Sequence, residues 1–246
     1  MHSSKVLSLA QQQSGTEKDL RFMNDDAKKR SAERALEFVS DDQVVGLGTG
    51  STARFAIEGL ARRVREGLRI KGVPTSIATA QMAREQGIAL ADLNEIPSID
   101  ITIDGADEVD DDFNMIKGGG GALTREKLVA LASARRVIIV DETKLVKTLG
   151  AKWPVPVEVL PFAWRYSLAK LEALGSKPTL RLKDQKPFET DNGNYILDCQ
   201  FGPIADAPAL EKEMKLVPGV VECGLFIAIA SLLVIGSDDH VEVKEK

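Results

Sequence analysis

The sequence runs to 246 residues, enough for one large α/β domain or a main domain of about 150 residues with a smaller companion. With 43% hydrophobic and 28% charged residues, and ordinary glycine and proline usage, the chain is not disordered, collagenous or a coiled coil. Acidic residues outnumber lysine and arginine by 37 to 32, a net charge of −5 spread along the chain, so no nucleic-acid partner is expected.

Residues 1–20 have only Val6 to Ala10 as an apolar stretch, too little for a secretory segment, and are expected to be a disordered tail. Asn24 and Asp25 are plausible caps for a helix carrying Ala32, Ala35, Leu36 and Val39 at helical spacing and ending before Ser40. A strand is predicted at Gln43 to Leu47. The loop GLGTGST (46–52) follows, and then a helix with an apolar face of Ala53, Ala56, Ile57, Leu60 and Val64. Strands are predicted at Arg69 to Val73 and Asp100 to Ile103, with a helix from Ala78 to Gln86 between them, stopped by Gly87. A helix at Thr124 to Ala134 leads into a strand at Arg136 to Val140. Strands alternating with helices indicate an α/β fold, a Rossmann-like doubly wound sheet.

Trp153-Pro-Val-Pro marks a change of rhythm. Six elements in the order βαββαβ are placed at 155–160, 162–174, 178–183, 194–201, 207–216 and 220–226, with Asp191-Asn192-Gly193 as a hairpin turn. This reads as a second, smaller ferredoxin-like α+β domain at 151–226. Residues 21–150 plus 227–246 would form the Rossmann-like catalytic domain, closed by a final strand pair.

Several chemistries are excluded early. No run of about 18 apolar residues occurs, since Leu225 to Ile235 is broken by Ser231, so no membrane span is expected. Cys199 and Cys223 have no ligand-spaced partners, which argues against a disulfide framework or a zinc site and fits a reducing, cytoplasmic address. His2 and His240 both lie near a terminus, so proton transfer is expected to fall to carboxylates or lysines. The loop 46–52 has Ser51 where a dinucleotide fingerprint needs its third glycine, and no acidic residue follows the second strand, so NAD binding is disfavoured.

Three loops carry the chemistry that remains. In the first, Thr49, Ser51 and Thr52 sit beside free amides at a helix N-terminus, either a site for a single phosphate or a tight turn capped by Ser51 or Thr52. In the second, Asp104 and Asp107 stand at the end of a strand, where ligands bind in open α/β sheets. The acidic run beyond them, Glu108, Asp110, Asp111 and Asp112, reads as a solvated loop. In the third, Lys117 precedes Gly118 to Gly121, a run that weakens any regular element and suits close approach of backbone to a ligand. Lys117 there could face a developing oxyanion. Glu126 falls in the first turn of the next helix, where the dipole would keep it ionised and able to act as a base. Lys144 falls at the same sheet edge, where a second phosphate contact is expected.

The motifs GLGTGST (46–52), DGADE (104–108), KGGGGALTRE (117–126), DETK (141–144), PVEV (156–159), TDNGN (190–194) and PGVVECGLF (218–226) together resemble the ribose-5-phosphate isomerase type A family over nearly all of residues 24–246. Glycine at 121 is a small departure, because some members carry alanine there. The resemblance implies interconversion of D-ribose 5-phosphate and D-ribulose 5-phosphate in the pentose phosphate pathway, with no metal and no cofactor. It implies Glu126 as the base working through an enediolate, Asp104 as the group assisting ring opening, Lys117 as the enediolate-stabilising cation and Asp107 as a holder of hydroxyls. Substrate would also meet Thr49, Gly50, Ser51, Thr52, Gly105, Ala106, Gly118, Gly119, Gly120 and Lys144. The family forms homodimers or homotetramers, so an oligomer is expected. A non-catalytic sugar-phosphate sensor, a sugar-phosphate deaminase and a CoA transferase of related fold are the alternatives.

Overall fold

A computed structural model describes residues 25–246; the disordered tail expected at 1–20 lies outside them, as does His2. Among the described residues no helix is long and apolar enough to cross a membrane.

The larger layer is a six-stranded sheet. Helix α1 (residues 25–36) leads to strand β1 (Gln43–Leu47), helix α2 (Ser51–Arg65), strand β2 (Ile70–Pro74), helix α3 (Ile77–Glu85) and strand β3 (Ile99–Asp104). Helix α4 (Leu123–Leu131) runs into strand β6 (Ser133–Asp141), and strands β14 (Leu232–Gly236) and β15 (Val241–Glu245) finish the sheet. The spatial order is β15-β14-β6-β3-β1-β2, parallel except for β15 against β14. Its central strands are apolar on both faces because both are covered. Val137 and Ile139 of β6 join Leu232 and Val234 of β14 in one core with α1 and α2, whereas Ile138, Val140, Leu233 and Ile235 point into another with Leu123 and Ala130 of α4. That split is the two-residue period of a strand. From β1 the chain goes to one side as β2 and returns to the other as β3. The crevice beyond the C-terminal ends of β1 and β3 is therefore the switch point at which such sheets bind ligands.

The smaller layer is an antiparallel sheet of β7 (Val155–Val159), β8 (Lys177–Leu180), β11 (Tyr195–Gln200) and β12 (Val220–Cys223), in the order β12-β7-β11-β8. Helices α5 (Trp164–Ala173) and α6 (Ala207–Lys215) complete it, and Leu171 and Met214 share its core with Val155, Val157 and Val159. This is the ferredoxin-like arrangement. A third, three-stranded sheet of β4 (Glu108–Val109), β5 (Met115–Ile116) and β13 (Leu225–Phe226) joins the layers.

Several boundaries differ from the sequence reading, each for a local reason. The first helix ends at residue 36, and Val39 is buried from the turn that follows. Helix α4 stops at Leu131, not Ala134, because the Ala132 carbonyl accepts from the Ile99 amide and draws the chain into the sheet by Ser133. The strand expected at 178–183 breaks at Arg181, beyond which β9 (Leu182–Lys183) and β10 (Lys186–Pro187) form a separate small hairpin. The strand expected at 220–226 divides at Gly224, and its second part pairs with β5. A side chain at Gly224 would lie 2.3 Å from the Lys117 carbonyl oxygen, so only glycine lets the chain cross there.

Candidate active site

The switch point opens into a small cleft of about 80 Å³. Residues 49–53 and 105–107 form two of its walls, residues 117–120 a third, and Glu126 and Lys144 complete it. Every residue expected at the site lines this cleft except Asp104, which is buried behind it against Lys117, and Ala53 is added.

The loop at residues 49–53 has two parts with different roles. Gly50 caps α2 without any side-chain hydrogen bond, so the reading in which Ser51 or Thr52 serves as N-cap does not hold. The amides of Ser51, Thr52 and Ala53 and the hydroxyls of Ser51 and Thr52 have no partner among the described residues, whereas the Arg54 amide already bonds the Gly50 carbonyl. Free donors at the positive end of a helix make an anion site. The Thr49 hydroxyl is committed elsewhere: Thr75, Ser76 and Thr79 meet it at 2.7, 2.8 and 3.0 Å. Thr75 and Thr79 in turn donate to the carbonyls of Leu47 and Gly48. Thr49 forms cleft wall while its hydroxyl ties the loop to β2 and α3.

At the deep end lies a buried triad of charges. The Lys117 ammonium is 3.1 Å from Asp104 Oδ2 and 3.3 Å from Glu126 Oε1, and it also donates to the Gly105 carbonyl. All three side chains are buried. Lys117 follows β5 directly and is held by the neighbouring segment, since its amide bonds the Gly224 carbonyl and its ammonium lies 5.5 Å from the centre of the Phe226 ring. Asp104 is oriented by its other oxygen, which accepts from the amides of Thr49 and Gly105.

Burial governs how these groups ionise. It pushes the Glu126 carboxyl up to about 8; the Lys117 charge opposes this, and Asp104 and Asp107 add to it. The helix dipole was expected to keep Glu126 ionised at an exposed helix start. The side chain is instead buried, and desolvation outweighs the dipole. Burial likewise raises Asp104 against the pull of Lys117. Burial also works against the Lys117 ammonium, but the flanking carboxylates win and hold its pKa above the ordinary lysine value. Glu126 Oε2 is buried and has no hydrogen-bond partner. An unpaired carboxylate oxygen beside a cleft is free to take a proton.

The glycine run has separate reasons at separate positions. Gly118 and Gly121 have φ of 105° and 83°, which side chains rarely adopt, and the Gly119 amide donates to Asp107 Oδ2 at 2.7 Å. Lys144 reaches the rim from the short helix Glu142–Lys144, its ammonium 5.1 Å from the centre of the Trp153 ring. His240 sits in the exposed turn between β14 and β15, bonded to Ser237 and Asp239, and lines no part of the cleft.

Some residues that hold the site escaped the sequence reading. Glu108 is fully buried, not solvated, and accepts from the amides of Gly150, Lys152 and Trp153, while Asp110 caps its own turn and only Asp111 and Asp112 are exposed. Glu158, also fully buried, accepts from Thr124, Thr190, Asn192 and Asn194, so it fastens the 190–194 turn to the first turn of the helix that carries Glu126. A lone carboxylate within the run Val155-Pro-Val-Glu-Val was the available signal. Lys127 is buried among Glu211, Glu222 and the carbonyls of Cys223 and Leu225. Glu211, Glu222 and Cys223 form the one metal-competent group among the described residues, and the Lys127 ammonium sits in its midst.

Comparison with known proteins bears on this geometry. The family model described as ribose 5-phosphate isomerase A (phosphoriboisomerase A) matches residues 71–240. A ribose-5-phosphate isomerase A from Gloeobacter violaceus is 53% identical over 217 residues, covering 88% of this chain and 94% of the relative. One from Thermomicrobium roseum is 49% identical over 222 residues, covering 89% and 94%. Among solved structures, ribose 5-phosphate isomerase A from Methanocaldococcus jannaschii superposes with a TM-score of 0.87 at 44% identity, covering 91% of this chain and all of the other. A D-ribose-5-phosphate isomerase in complex with phospho-erythronic acid superposes with a TM-score of 0.88 at 41% identity, covering 90% and 98%.

Proposed function

The chain belongs to the ribose-5-phosphate isomerase A family and is an aldose–ketose isomerase, and from that premise we propose that it interconverts D-ribose 5-phosphate and D-ribulose 5-phosphate in the cleft between β1 and β3. The observation that carries this reading is the buried Lys117 bridging Asp104 and Glu126 while Glu126 Oε2 stays unpaired.

The substrate phosphate binds the free amides of residues 51–53 and the hydroxyls of Ser51 and Thr52, with Lys144 at the rim. The family resemblance gives Asp104, set behind the cleft wall against Lys117, the task of taking the proton of the anomeric hydroxyl and returning one to the ring oxygen, which opens the sugar. Glu126 then removes the proton on carbon 2. The electron pair flows to the carbonyl oxygen, forming an enediolate whose charge Lys117 stabilises. A proton passes from the oxygen on carbon 2 to that on carbon 1, and Glu126 returns its proton to carbon 1, giving the ketose. Asp107 and the glycine loop, residues 118–120, hold the sugar hydroxyls beside Gly105 and Ala106. Binding of a phosphorylated sugar acid by a relative that is 41% identical supports a site for an anionic sugar phosphate.

Within the same proposal, residues 21–150 and 227–246 form the catalytic unit, residues 151–226 cover it, and the enzyme works in the cytoplasm. A homodimer or homotetramer is what the family resemblance implies. A sensor would have no use for an unpaired, buried carboxylate. The experiment is a coupled assay of ribulose 5-phosphate formed from ribose 5-phosphate. Turnover without ammonia release or CoA dependence is expected, and its absence would return the question to the deaminase, transferase and sensor alternatives.

A further inference from the structure

We propose that Arg181 is a positioning residue for the isomerase reaction, orienting the glycine loop from the smaller layer so that the Gly119 amide holds Asp107 and the Gly120 amide faces the substrate. The inference rests on reading the cleft as the isomerase site.

Arg181 stands where the strand after α5 breaks. Its backbone is fixed on both sides, the amide donating to the Ile196 carbonyl and the carbonyl accepting from the Phe188 amide, each at 2.9 Å. Its guanidinium is gripped edge-on by Asp198, through Nε at 2.9 Å and through Nη2. That leaves Nη1 aimed at the loop, where it donates to the carbonyls of Gly118 at 2.9 Å and Gly119 at 3.1 Å. Among the described residues, Arg181 and Asp107 are the side chains that hydrogen-bond residues 118–121. A run of glycines has no side chains with which to fix itself and the largest backbone entropy to lose, so these two ties act with the turn bond from the Gly121 amide to the Gly118 carbonyl to set its shape.

The consequence for the site follows from peptide planarity. In a trans peptide the carbonyl and the next amide point in opposite directions, and the described residues contain no cis bond. Drawing the Gly118 carbonyl to Arg181 turns the Gly119 amide the other way, where it meets Asp107. Drawing the Gly119 carbonyl there turns the Gly120 amide to that same side, and this amide has no partner among the described residues although Gly120 lines the cleft. Arg181 thus holds Asp107 in place and leaves one backbone donor pointed at the substrate, without touching the substrate itself. The planar fork matters because a lysine offers one point charge and cannot hold Asp198 edge-on while reaching two carbonyls.

The test compares Arg181→Ala, Arg181→Lys and Asp198→Asn with the parent in the ribose 5-phosphate assay. Circular dichroism confirms folding. For Arg181→Ala, a fall in kcat of about 10- to 100-fold is expected, with KM raised only a few fold, the size of effect that slight misplacement produces. Millimolar guanidinium should restore part of the kcat of Arg181→Ala and none of that of Arg181→Lys. Asp198→Asn should fall between parent and Arg181→Ala. If Arg181→Ala does not fold, Arg181→Lys and Asp198→Asn decide, and parental kinetics in both would overturn the proposal. So would a folded Arg181→Ala with kcat and KM within twofold of the parent, or one indifferent to guanidinium. An inactive parent would instead overturn the assignment of the cleft, and this inference with it.

Discussion

Two buried lysines flank the same aromatic ring, and their fates differ. Lys117 and Lys127 lie 5.5 and 4.8 Å from the centre of Phe226, each between two carboxylates. Lys127 is saturated, with four oxygens at 2.7 to 3.0 Å, and both its carboxylates reach solvent. Partial burial opposes it, but hydrogen bonding to Lys127 and its charge hold Glu222 below the usual carboxylate range. Around Lys117 the opposite holds: Glu126 is buried in the cleft wall, keeps one oxygen unpaired and is pushed up to about 8. The same ion-pair chemistry fastens structure where every donor is matched and supports proton transfer where one acceptor is left over.

The comparison breaks if neighbouring substitutions on α4 behave alike. Glu126→Gln should lower kcat by roughly 10²- to 10⁴-fold with KM within a few fold. Lys127→Met should leave kcat within a few fold while costing about 3 kcal/mol of stability, the low end for breaking a buried pair, because Glu211 and Glu222 can rehydrate. Steady-state kinetics and urea unfolding on both variants check this. Equal losses of activity would erase the distinction.

The pH profile sharpens it. Because kcat/KM reports the free enzyme and a base must be ionised, kcat/KM should rise about tenfold per pH unit below 8 and level off above it. Stability moves the other way. The folded-state pKa of Glu126 is raised, so its contribution is fully present below the unfolded value of 4.5 and is lost as pH rises through about 8. Relative to the parent, Glu126→Gln should therefore gain thermal stability between pH 6 and pH 9. A Tm difference independent of pH would contradict the raised value.

Smaller effects are expected at the rim. Thr52→Ala removes one hydroxyl from a ground-state phosphate contact, so KM should rise about tenfold with kcat nearly unchanged, and inorganic phosphate should compete with substrate. Chelation should change nothing. The cleft carries no histidine or cysteine, and a metal at Glu211, Glu222 and Cys223 would have to displace Lys127. An EDTA-sensitive rate would refute that.

Much of this was legible in the sequence, for identifiable reasons. Strand β1 keeps the limits read from Gln43 to Leu47, because a short apolar run before a glycine turn has few other conformations. The cleft loops announced themselves through glycine and clustered carboxylates, which local structure rarely demands. What stayed hidden depends on tertiary burial. Glu108 looks like its acidic neighbours until three amides from residues 150–153 converge on it. The Thr49 hydroxyl looks like a phosphate ligand until Thr75, Ser76 and Thr79 arrive from β2 and α3. Glu126 has the spacing of an exposed helix start, and only packing against Lys117 and its neighbours shows that it is desolvated.

Transfer of solvent deuterium into the sugar tests the central claim, that Glu126 carries the proton between carbons 2 and 1. In the parent, ribose 5-phosphate incubated in deuterium oxide should acquire label at carbon 2 and yield ribulose 5-phosphate labelled at carbon 1, both read by NMR. The Glu126→Gln variant, folded and still binding inorganic phosphate, should lose exchange and turnover together by at least 10²-fold. Exchange and turnover retained near the parental rate in that variant would place the base elsewhere, at Asp104 or Asp107.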